Sequence, residues 1–130
     1  MSRARRLVAV SNRVGPVRNA AAAGGLAVGL VDALKEHGGL WFGWSGRVAA
    51  SARSRLRLEK VEGLTLATLD LTQKELDGYY SGFSNNCLWP LLHFRIDLTR
   101  FERGEFDTYR RVNRRFALAL HKLLKPDDLV

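Results

Sequence analysis

Residues 7–39, LVAVSNRVGPVRNAAAAGGLAVGLVDALKEHGG, contain the pattern that decides the fold. The apolar run Leu7–Val10 shows little alternation, which is typical of a strand buried on both faces. A polar loop and a glycine pair follow, and Leu26, Leu30 and Leu34 then recur at helical spacing. The order strand, loop, glycine pair, helix predicts the first unit of an open α/β sheet.

The glycine pair and one arginine lie where such a sheet binds anions. Ligands of open α/β sheets lie beyond the carboxyl ends of the strands, and glycines at a helix N-terminus let backbone N–H groups approach a phosphate. Arg13 follows the first strand and would add a guanidinium to the same region. The spacing of Gly24, Gly25 and Gly29 is not the dinucleotide fingerprint G-x-G-x-x-G. A flexible connection, with Gly29 serving close helix–sheet packing, therefore stays open as the alternative.

Length and charge restrict the function further. The chain has 130 residues, enough for one modest domain, and carries 21 basic against 13 acidic residues, a net charge of +8. This excess favours anionic partners, whether nucleic acid, phosphosugars or nucleotides. No apolar run approaches the ~20 residues that span a bilayer. The basic start Met1–Arg6 does not lead into a signal peptide, so we expect no membrane partner.

Cysteine and histidine usage argues against a disulfide or a metal centre. The single cysteine, Cys87, excludes an internal disulfide and any multi-cysteine metal site, and it favours a reducing, cytoplasmic setting. The three histidines, His37, His93 and His121, are scattered without metal-ligand spacing. We therefore expect neither a metal nor a cofactor.

Two tryptophans are prominent in the segment that follows the first helix. Leu40–Gly46 predicts a short strand that ends in a glycine-rich turn. Trp41 and Trp44 both pack in the core under one interpretation. Under the other, one of them lies at a pocket, where an indole face contacts a sugar ring. The residues alone leave both interpretations open.

The middle of the chain predicts a hairpin. The polar stretch Arg47–Arg57 lacks periodicity, which indicates an exposed loop. Leu56–Leu69 contains two alternating runs around Glu62-Gly63, and these should pair antiparallel.

The second half of the chain predicts helices. Thr72 and Glu75 form a capping box, so a helix should start near Gln73 and fade near Ser81-Gly82. Ser84 could cap a second short helix, in which Pro90 is tolerated only in the first turn or at a kink. We expect Asp107 or Thr108 to cap a last helix, whose arginines form a solvated face rather than a nucleic-acid reader. Pro126 should close it, before a turn into another strand at residues 127–130.

Five segments occur in one order and together resemble the amino-terminal part of the trehalose-6-phosphate synthases. They are V-S-N-R (10–13), A-G-G-L (23–26), G-G-L-W-F-G-W-S-G (38–46), Y-Y-x-x-F-S-N (79–85) and L-W-P-L-L-H (88–93). The tryptophan-rich segment and L-W-P-L-L-H are the specific ones. The resemblance covers essentially the whole chain after Arg5.

The resemblance implies a fold and an activity. The fold is α/β: a partial Rossmann-like N-terminal domain of the GT-B type, with a mainly parallel sheet, a β-hairpin and flanking helices. The family transfers glucose, with retention, from UDP-glucose to glucose 6-phosphate without a metal or other cofactor. On this plan residues 1–130 are an incomplete acceptor-side domain. The W-x-H-D-Y-H segment, the catalytic groups and the donor-binding domain are expected beyond Val130.

The resemblance also assigns site residues to matching positions. The glucose 6-phosphate site falls on Arg13, Trp44, Tyr80 and Trp89, and the UDP-glucose site on Gly24 and Gly25. Arg13 would contact the acceptor phosphate with help from Tyr80, the tryptophans would shape the acceptor pocket, and the glycines would lie against the donor diphosphate.

Three hypotheses follow from the sequence. The favoured one is a glucosyltransferase segment that is inactive alone, marginally stable and prone to aggregate. The second is a non-catalytic phosphosugar-binding or regulatory protein. The third, a basic nucleic-acid-binding module, lacks any recognised motif, so no nucleic-acid partner is expected. Whether the full-length protein forms a homo-oligomer stays open.

Overall fold

The structure is a computed structural model that describes residues 5–51 and 55–130. Part of the basic start Met1–Arg6, and the middle of the loop predicted between Arg47 and Arg57, lie outside the described residues. The chain divides into two compact units, which are described separately. The first comprises Met1–Arg47, Arg55–Asp70 and Leu120–Val130, and the second comprises Val48–Ser54 and Leu71–Ala119.

The described residues form a four-stranded sheet with helices. The strands are β1 (Val8–Arg13), β2 (Leu40–Ala49), β3 (Arg57–Val61) and β4 (Leu64–Thr72), in the order β1-β2-β4-β3. The helices are α1 (Gly25–Glu36), α2 (Gln73–Glu75), which continues as a π-helix (Leu76–Leu88) and then as α3 (Trp89–Leu92), and α4 (Arg103–His121). Short 3-10 turns occupy Ala20–Ala23 and Ile96–Leu98.

The sheet is mainly parallel, as predicted. β1 pairs with β2 in parallel from Val8–Leu40 onward. Two hydrogen bonds give the direction of β2 relative to β4. Thr65 N–H donates to the Gly39 carbonyl at 2.9 Å, and further along both strands Ser45 Oγ donates to Asp70 Oδ1 at 2.5 Å. This progression requires parallel strands. The α/β fold class expected from the sequence is therefore confirmed.

The antiparallel hairpin is confirmed where alternation predicted it. β3 and β4 pair from Arg57–Thr68 to Val61–Leu64. The two connecting residues, Glu62 and Gly63, have φ values of 49° and 88°. Positive φ at both central residues is the geometry of a type I′ hairpin turn, whose twist matches that of the strands.

β1 is less buried than its apolar run predicts. Val8 is buried, but Val10 is 48% exposed, so the expectation of a strand buried on both faces is wrong at its carboxyl end. The reason is its place at the end of the strand order. On the side away from β2, the described residues extend the sheet by a parallel bridge between Leu7 and Leu129, which begins the strand predicted after the last turn. The partner thus covers only the start of β1.

The buried face of α1 begins later than predicted. Val31 and Leu34 are buried and Leu30 packs against the same apolar cluster, whereas Leu26 is 88% exposed. Leu26 lies in the first turn of the helix, so its helical spacing from Leu30 does not make it part of the core.

The glycine-rich turn predicted at the end of Leu40–Gly46 is wrong, because β2 continues through it. Leu40–Ala49 is one strand whose first five residues are buried. Gly43 permits its close approach to β1, because a Cβ there would collide with the Ser11 carbonyl oxygen. The strand includes Arg47, so the exposed loop begins later than expected.

In the second unit, the capping box is confirmed and the predicted helix break is wrong. Glu75 N–H donates to Thr72 Oγ1 at 3.1 Å, and Thr72 N–H donates to Glu75 Oε2 at 2.9 Å. The helix then continues as a π-helix past Ser81-Gly82, so Ser84 caps no new helix. A Cβ at Gly82 would lie 2.7 Å from Glu105 Cδ, and one at Gly78 would lie 2.8 Å from Thr108 Cβ. α4 can therefore pack closely against the π-helix at these two glycines, and neither of them ends the helix.

α4 begins before the predicted caps, at Arg103. Its buried residues are Thr108, Val112 and Phe116. It packs aromatic rings against the π-helix, with Tyr79 stacked on Tyr109 at a centroid distance of 5.6 Å. Burial, together with the neighbouring Tyr109, raises the pKa of Tyr79 to about 12. The exposed arginines Arg110, Arg111 and Arg114 lie off this face, as expected.

Within the described ranges, no helix is both long enough and apolar enough to cross a membrane.

Candidate functional site

A bulge at the carboxyl end of β1 directs Arg13 toward β2. Val10 pairs with Phe42 and Arg13 pairs with Trp44, so β1 contains one residue more than β2 over this interval. Such a bulge bends the strand and re-aims the side chains that follow it. Ser11 supports the local geometry, since its hydroxyl donates to the Arg13 carbonyl at 2.8 Å and accepts from Trp41 Nε1 at 2.8 Å.

The Arg13 guanidinium is exposed and contacts two parts of β2. Its Cζ lies 5.5 Å from the centroid of the Trp44 ring, which is a cation–π contact. Its Nε and Nη2 lie where a side chain at Gly46 would be, because a Cβ built there would be 2.8 Å from each. Of the ion pairs found among residues 5–51 and 55–130, none involves Arg13. Within those ranges, the guanidinium therefore has no carboxylate partner.

The two tryptophans are both buried, and their indole N–H groups are satisfied. Trp41 donates to Ser11, and Trp44, which is 6% exposed, donates from Nε1 to the Arg47 carbonyl at 2.9 Å. Trp41 therefore belongs to the core. Trp44 combines a buried position with a ring face toward Arg13, and its contact with a sugar stays a prediction.

The glycine pair begins α1, as the sequence suggests. Gly24 is the N-cap with φ 99°, a conformation that L side chains rarely adopt, and Gly25 is the first helical residue. A Cβ added at Gly25 or Gly29 would meet no heavy atom within 4 Å among the residues that the structure describes. Close helix–sheet packing therefore does not explain Gly29, and neither packing nor φ explains Gly25. The Gly24 N–H donates to the Ala21 carbonyl at 3.4 Å, and the first N–H groups of α1, from Gly25 on, are those that a helix start can offer to an anion.

Tyr80 and Trp89 lie in the second unit. Tyr80 is on the π-helix and half-exposed, and Trp89 begins α3 and is 55% exposed. Trp89 stacks on His93 with ring centroids 4.2 Å apart, and its carbonyl lies 2.7 Å from His93 Nδ1. The structure thus brings Arg13 together with Trp44 in the first unit, and places Tyr80 and Trp89 on one continuous helical segment in the second.

A separate open pocket of about 320 Å³ lies within the first unit. Its lining includes Val14, Gly15, Ser45, Arg47 and Arg57. Arg57 forms an ion pair with Asp70, which also accepts from Ser45. Burial acts to raise the pKa of Asp70, but the hydrogen bonds from Ser45 and Arg57 outweigh it and hold the pKa below its usual range. The charge of Arg57 is therefore partly neutralised within the fold by Asp70.

Sequence reasoning missed Gly43 and Gly46 as parts of the arginine site. Their signal was present in F-G-W-S-G, where two glycines lie inside a segment predicted to be a strand. Glycine within a strand indicates a bulge or close backbone approach, and each of these two faces β1 atoms.

The described residues contain no cluster of three or more histidine, cysteine, aspartate or glutamate side chains able to hold a metal ion. The chemical features of the first unit are instead the exposed Arg13 guanidinium at a strand end and the N–H groups at the start of α1. This combination is typical of α/β proteins that bind phosphates.

Comparison with known proteins identifies the family. The sequence model of glycosyltransferase family 20 matches residues 5–130, and the chain belongs to this family. It is 48% identical over 126 residues to the trehalose-6-phosphate synthase of Escherichia coli strain K12, covering 96% of this chain and 26% of that relative. The chain thus spans about a quarter of the length of the curated relatives it matches.

Solved structures agree in fold. An alpha,alpha-trehalose-phosphate synthase (UDP-forming) from Burkholderia vietnamiensis superposes with a TM-score of 0.90 at 47% identity, over 98% of this chain and 28% of that one. A second such synthase, from Burkholderia xenovorans in complex with glucose-6-phosphate, gives a TM-score of 0.82 at 50% identity, over 95% and 26% of the two chains.

Proposed function

We propose that this chain forms the acceptor side of a glucosyl transfer from UDP-glucose to glucose 6-phosphate, which yields trehalose 6-phosphate and UDP. Membership of the family supports the reaction class, and the relatives named above support the substrates. In this proposal residues 1–130 act as part of an acceptor-side domain, and donor binding depends mainly on polypeptide corresponding to the remaining length of the relatives. The setting is cytoplasmic, and no nucleic acid or membrane takes part.

The observation that carries the proposal is the state of Arg13. Its guanidinium is exposed, is directed by the β1 bulge, and has no carboxylate partner among the described ion pairs. A planar fork of N–H donors matches a phosphate dianion bidentately, which a lysine ammonium cannot do. Arg13 is therefore assigned to the phosphate of glucose 6-phosphate.

The other acceptor residues have exposed polar or aromatic surface suited to a phosphosugar. Tyr80 offers a hydroxyl that can add a hydrogen bond, and Trp89 offers an indole face of the kind that contacts sugar rings. Trp44 takes part through its contact with Arg13. The roles of Tyr80 and Trp89 follow from the resemblance and from their exposure, whereas the role of the buried Trp44 follows from the resemblance and its contact with Arg13.

Gly24 and Gly25 are assigned to the donor diphosphate. The positive end of the α1 dipole suits an anion there, and the first helical N–H groups, from Gly25 on, have no intrahelical acceptor. Amides alone do not stabilise a departing diphosphate fully, since phosphate leaving groups are usually met by cationic side chains or metal ions. The 130-residue chain by itself should consequently catalyse no sustained transfer, and it should bind glucose 6-phosphate at best weakly.

A chimera tests the proposal. The first quarter of the Escherichia coli relative is replaced by residues 5–130 of this chain, and UDP release is measured with UDP-glucose and glucose 6-phosphate. We expect turnover that Arg13→Ala abolishes, whereas the 130 residues alone should show none. Two results would contradict the proposal: a folded chimera that binds UDP-glucose but releases no UDP, or turnover that is indifferent to Arg13.

A further inference from the structure

We infer that Trp44 and Gly46 are positioning residues, which hold the Arg13 guanidinium in place for a phosphate monoester. The inference rests on the proposed function, in which Arg13 binds the acceptor phosphate, and it assigns to Trp44 a task other than lining a sugar pocket. It also gives a role to Gly46, the last glycine of the G-W-S-G segment.

The contacts of Arg13 hold it without using its donors. The cation–π contact with Trp44 engages the guanidinium by its charge and consumes no N–H group. The missing side chain at Gly46 leaves the space that Nε and Nη2 occupy beside the β2 backbone. An arginine that is already confined loses less side-chain freedom when it binds, which improves affinity without any new contact.

Trp44 can serve as a fixed support because it is itself held. Its ring is almost fully buried, its Nε1 donates to the Arg47 carbonyl at 2.9 Å, and its own carbonyl accepts from Val14 N–H at 2.9 Å. The first bond fixes the ring and the second ties the backbone at Trp44 to the segment after Arg13. The Trp44 ring and the Arg13 guanidinium are therefore held in a fixed position relative to each other.

The structure provides a matched pair of glycines for the test. Gly46 has φ 82° and Gly63 has φ 88°, so alanine imposes a similar backbone strain at both. Only at Gly46 does the added methyl group meet Arg13, since a Cβ at Gly63 meets no described heavy atom within 4 Å. A difference between the two variants therefore reports the displacement of Arg13.

Binding of glucose 6-phosphate to the 130-residue chain is measured by calorimetry in a double-mutant cycle. We expect Gly46→Ala to weaken binding at least tenfold and Gly63→Ala less than twofold. In the Arg13→Ala background, Gly46→Ala should have no further effect, because the residue through which it acts is gone. Trp44→Phe should retain most of the affinity and Trp44→Leu should not.

The outcomes separate this inference from the proposed function. If Arg13→Ala leaves the affinity unchanged, the proposed function is wrong. If Arg13→Ala weakens binding but Gly46→Ala behaves like Gly63→Ala, only the positioning role is overturned.

A spectroscopic readout decides the matter even if Gly46→Ala fails to fold. The ring current of Trp44 should move the Arg13 Nε–H resonance upfield in the wild-type chain, and Trp44→Leu should return it to the ordinary position. A wild-type resonance already at that position would overturn the inference.

Discussion

Arg13 shows what sequence reveals about a single residue and what it does not. The chain order places Arg13 directly after an apolar strand, and this was enough to predict a cation at the carboxyl end of the sheet. Its contacts with Trp44 and Gly46 depend on a bulge that shifts the pairing of β1 and β2 by one residue. No local pattern at Arg13 specifies that shift, because it arises between two strands that are distant in sequence.

Substituting Arg13 should reduce the affinity for glucose 6-phosphate. Arg13→Ala removes a charged bidentate contact, and we expect a loss of about 2–4 kcal/mol in binding free energy. Arg13→Lys should recover only part of it, since lysine presents a point charge. Calorimetry on the three proteins checks this, with Arg110→Ala on the exposed face of α4 as a charge-matched control. Equal losses in Arg13→Ala and Arg110→Ala would show a general charge effect.

Gly43 should be required for the stability of the first unit. A Cβ at this position would collide with the Ser11 carbonyl oxygen, which is backbone and cannot rotate away. We expect Gly43→Ala to lower the free energy of unfolding by about 1–3 kcal/mol through strain in the β1–β2 pairing. Urea denaturation measures this, with Gly104→Ala, in an open position on α4, as the comparison. A Gly43→Ala protein as stable as Gly104→Ala would refute the close approach.

At the scale of elements, predictions that rest on residues adjacent in sequence are confirmed, and the predicted helix break, which depends on a tertiary contact, is wrong. The hairpin around Glu62-Gly63 and the capping box at Thr72 depend on residues adjacent in sequence, and both are confirmed. Ser81-Gly82 suggested a helix end, yet Gly82, like Gly78, serves the packing of α4. The meaning of a helical glycine thus depends on a partner that is distant in sequence, as with Gly82 and Glu105.

The N-terminus of α1 should be sensitive to a side chain at Gly25 if it holds the donor diphosphate. A Cβ at Gly25 would have space in the structure, and the φ of Gly25 is not positive. Gly25→Ala should therefore leave folding intact. We expect it to weaken UDP-glucose binding in the chimera at least fivefold, by keeping the diphosphate from the backbone amides. Gly29→Ala, equally open but one turn along the helix, is the control. Similar affinities in both variants would remove the donor role of Gly25.

At the scale of the whole molecule, segments far apart in sequence meet within each unit. In the first, Arg6 donates to Asp128 from Nε at 2.9 Å and from Nη2 at 2.5 Å, beside the bridge between Leu7 and Leu129. The second exposes large apolar side chains over residues 89–101, including Leu92 and Phe94. Such a stretch gives a physical reason to expect the association that the sequence also predicts.

The ion pair of Asp128 should make stability depend on pH in the acidic range. Hydrogen bonds from Arg6 are the main cause that lowers the pKa of Asp128 from 3.8 to about 2. Because the pKa is lower in the folded chain than in the unfolded one, the ionised carboxylate stabilises the fold at pH values above 3.8. This contribution is lost as the pH falls through about 2. Urea unfolding between pH 2 and pH 6 should show a flatter profile for Asp128→Asn than for the wild type.

Asp97 provides the control for this titration. It pairs with Arg95 at the surface and also has a lowered pKa, but it is exposed to solvent. Asp97→Asn should change the profile little, because exposed pairs contribute little. Identical profiles for wild type and Asp128→Asn would show that the Arg6–Asp128 pair does not stabilise the first unit.

The central claim is that this chain carries a phosphosugar acceptor site built on Arg13. The most direct measurement is a calorimetric titration of the purified 130-residue chain with glucose 6-phosphate and with glucose, repeated on Arg13→Ala. We predict that the wild-type chain binds glucose 6-phosphate at least tenfold more tightly than glucose, and that Arg13→Ala removes this difference. Equal affinities for the two sugars in the wild-type chain, or a preference for the phosphate that survives in Arg13→Ala, would contradict the claim.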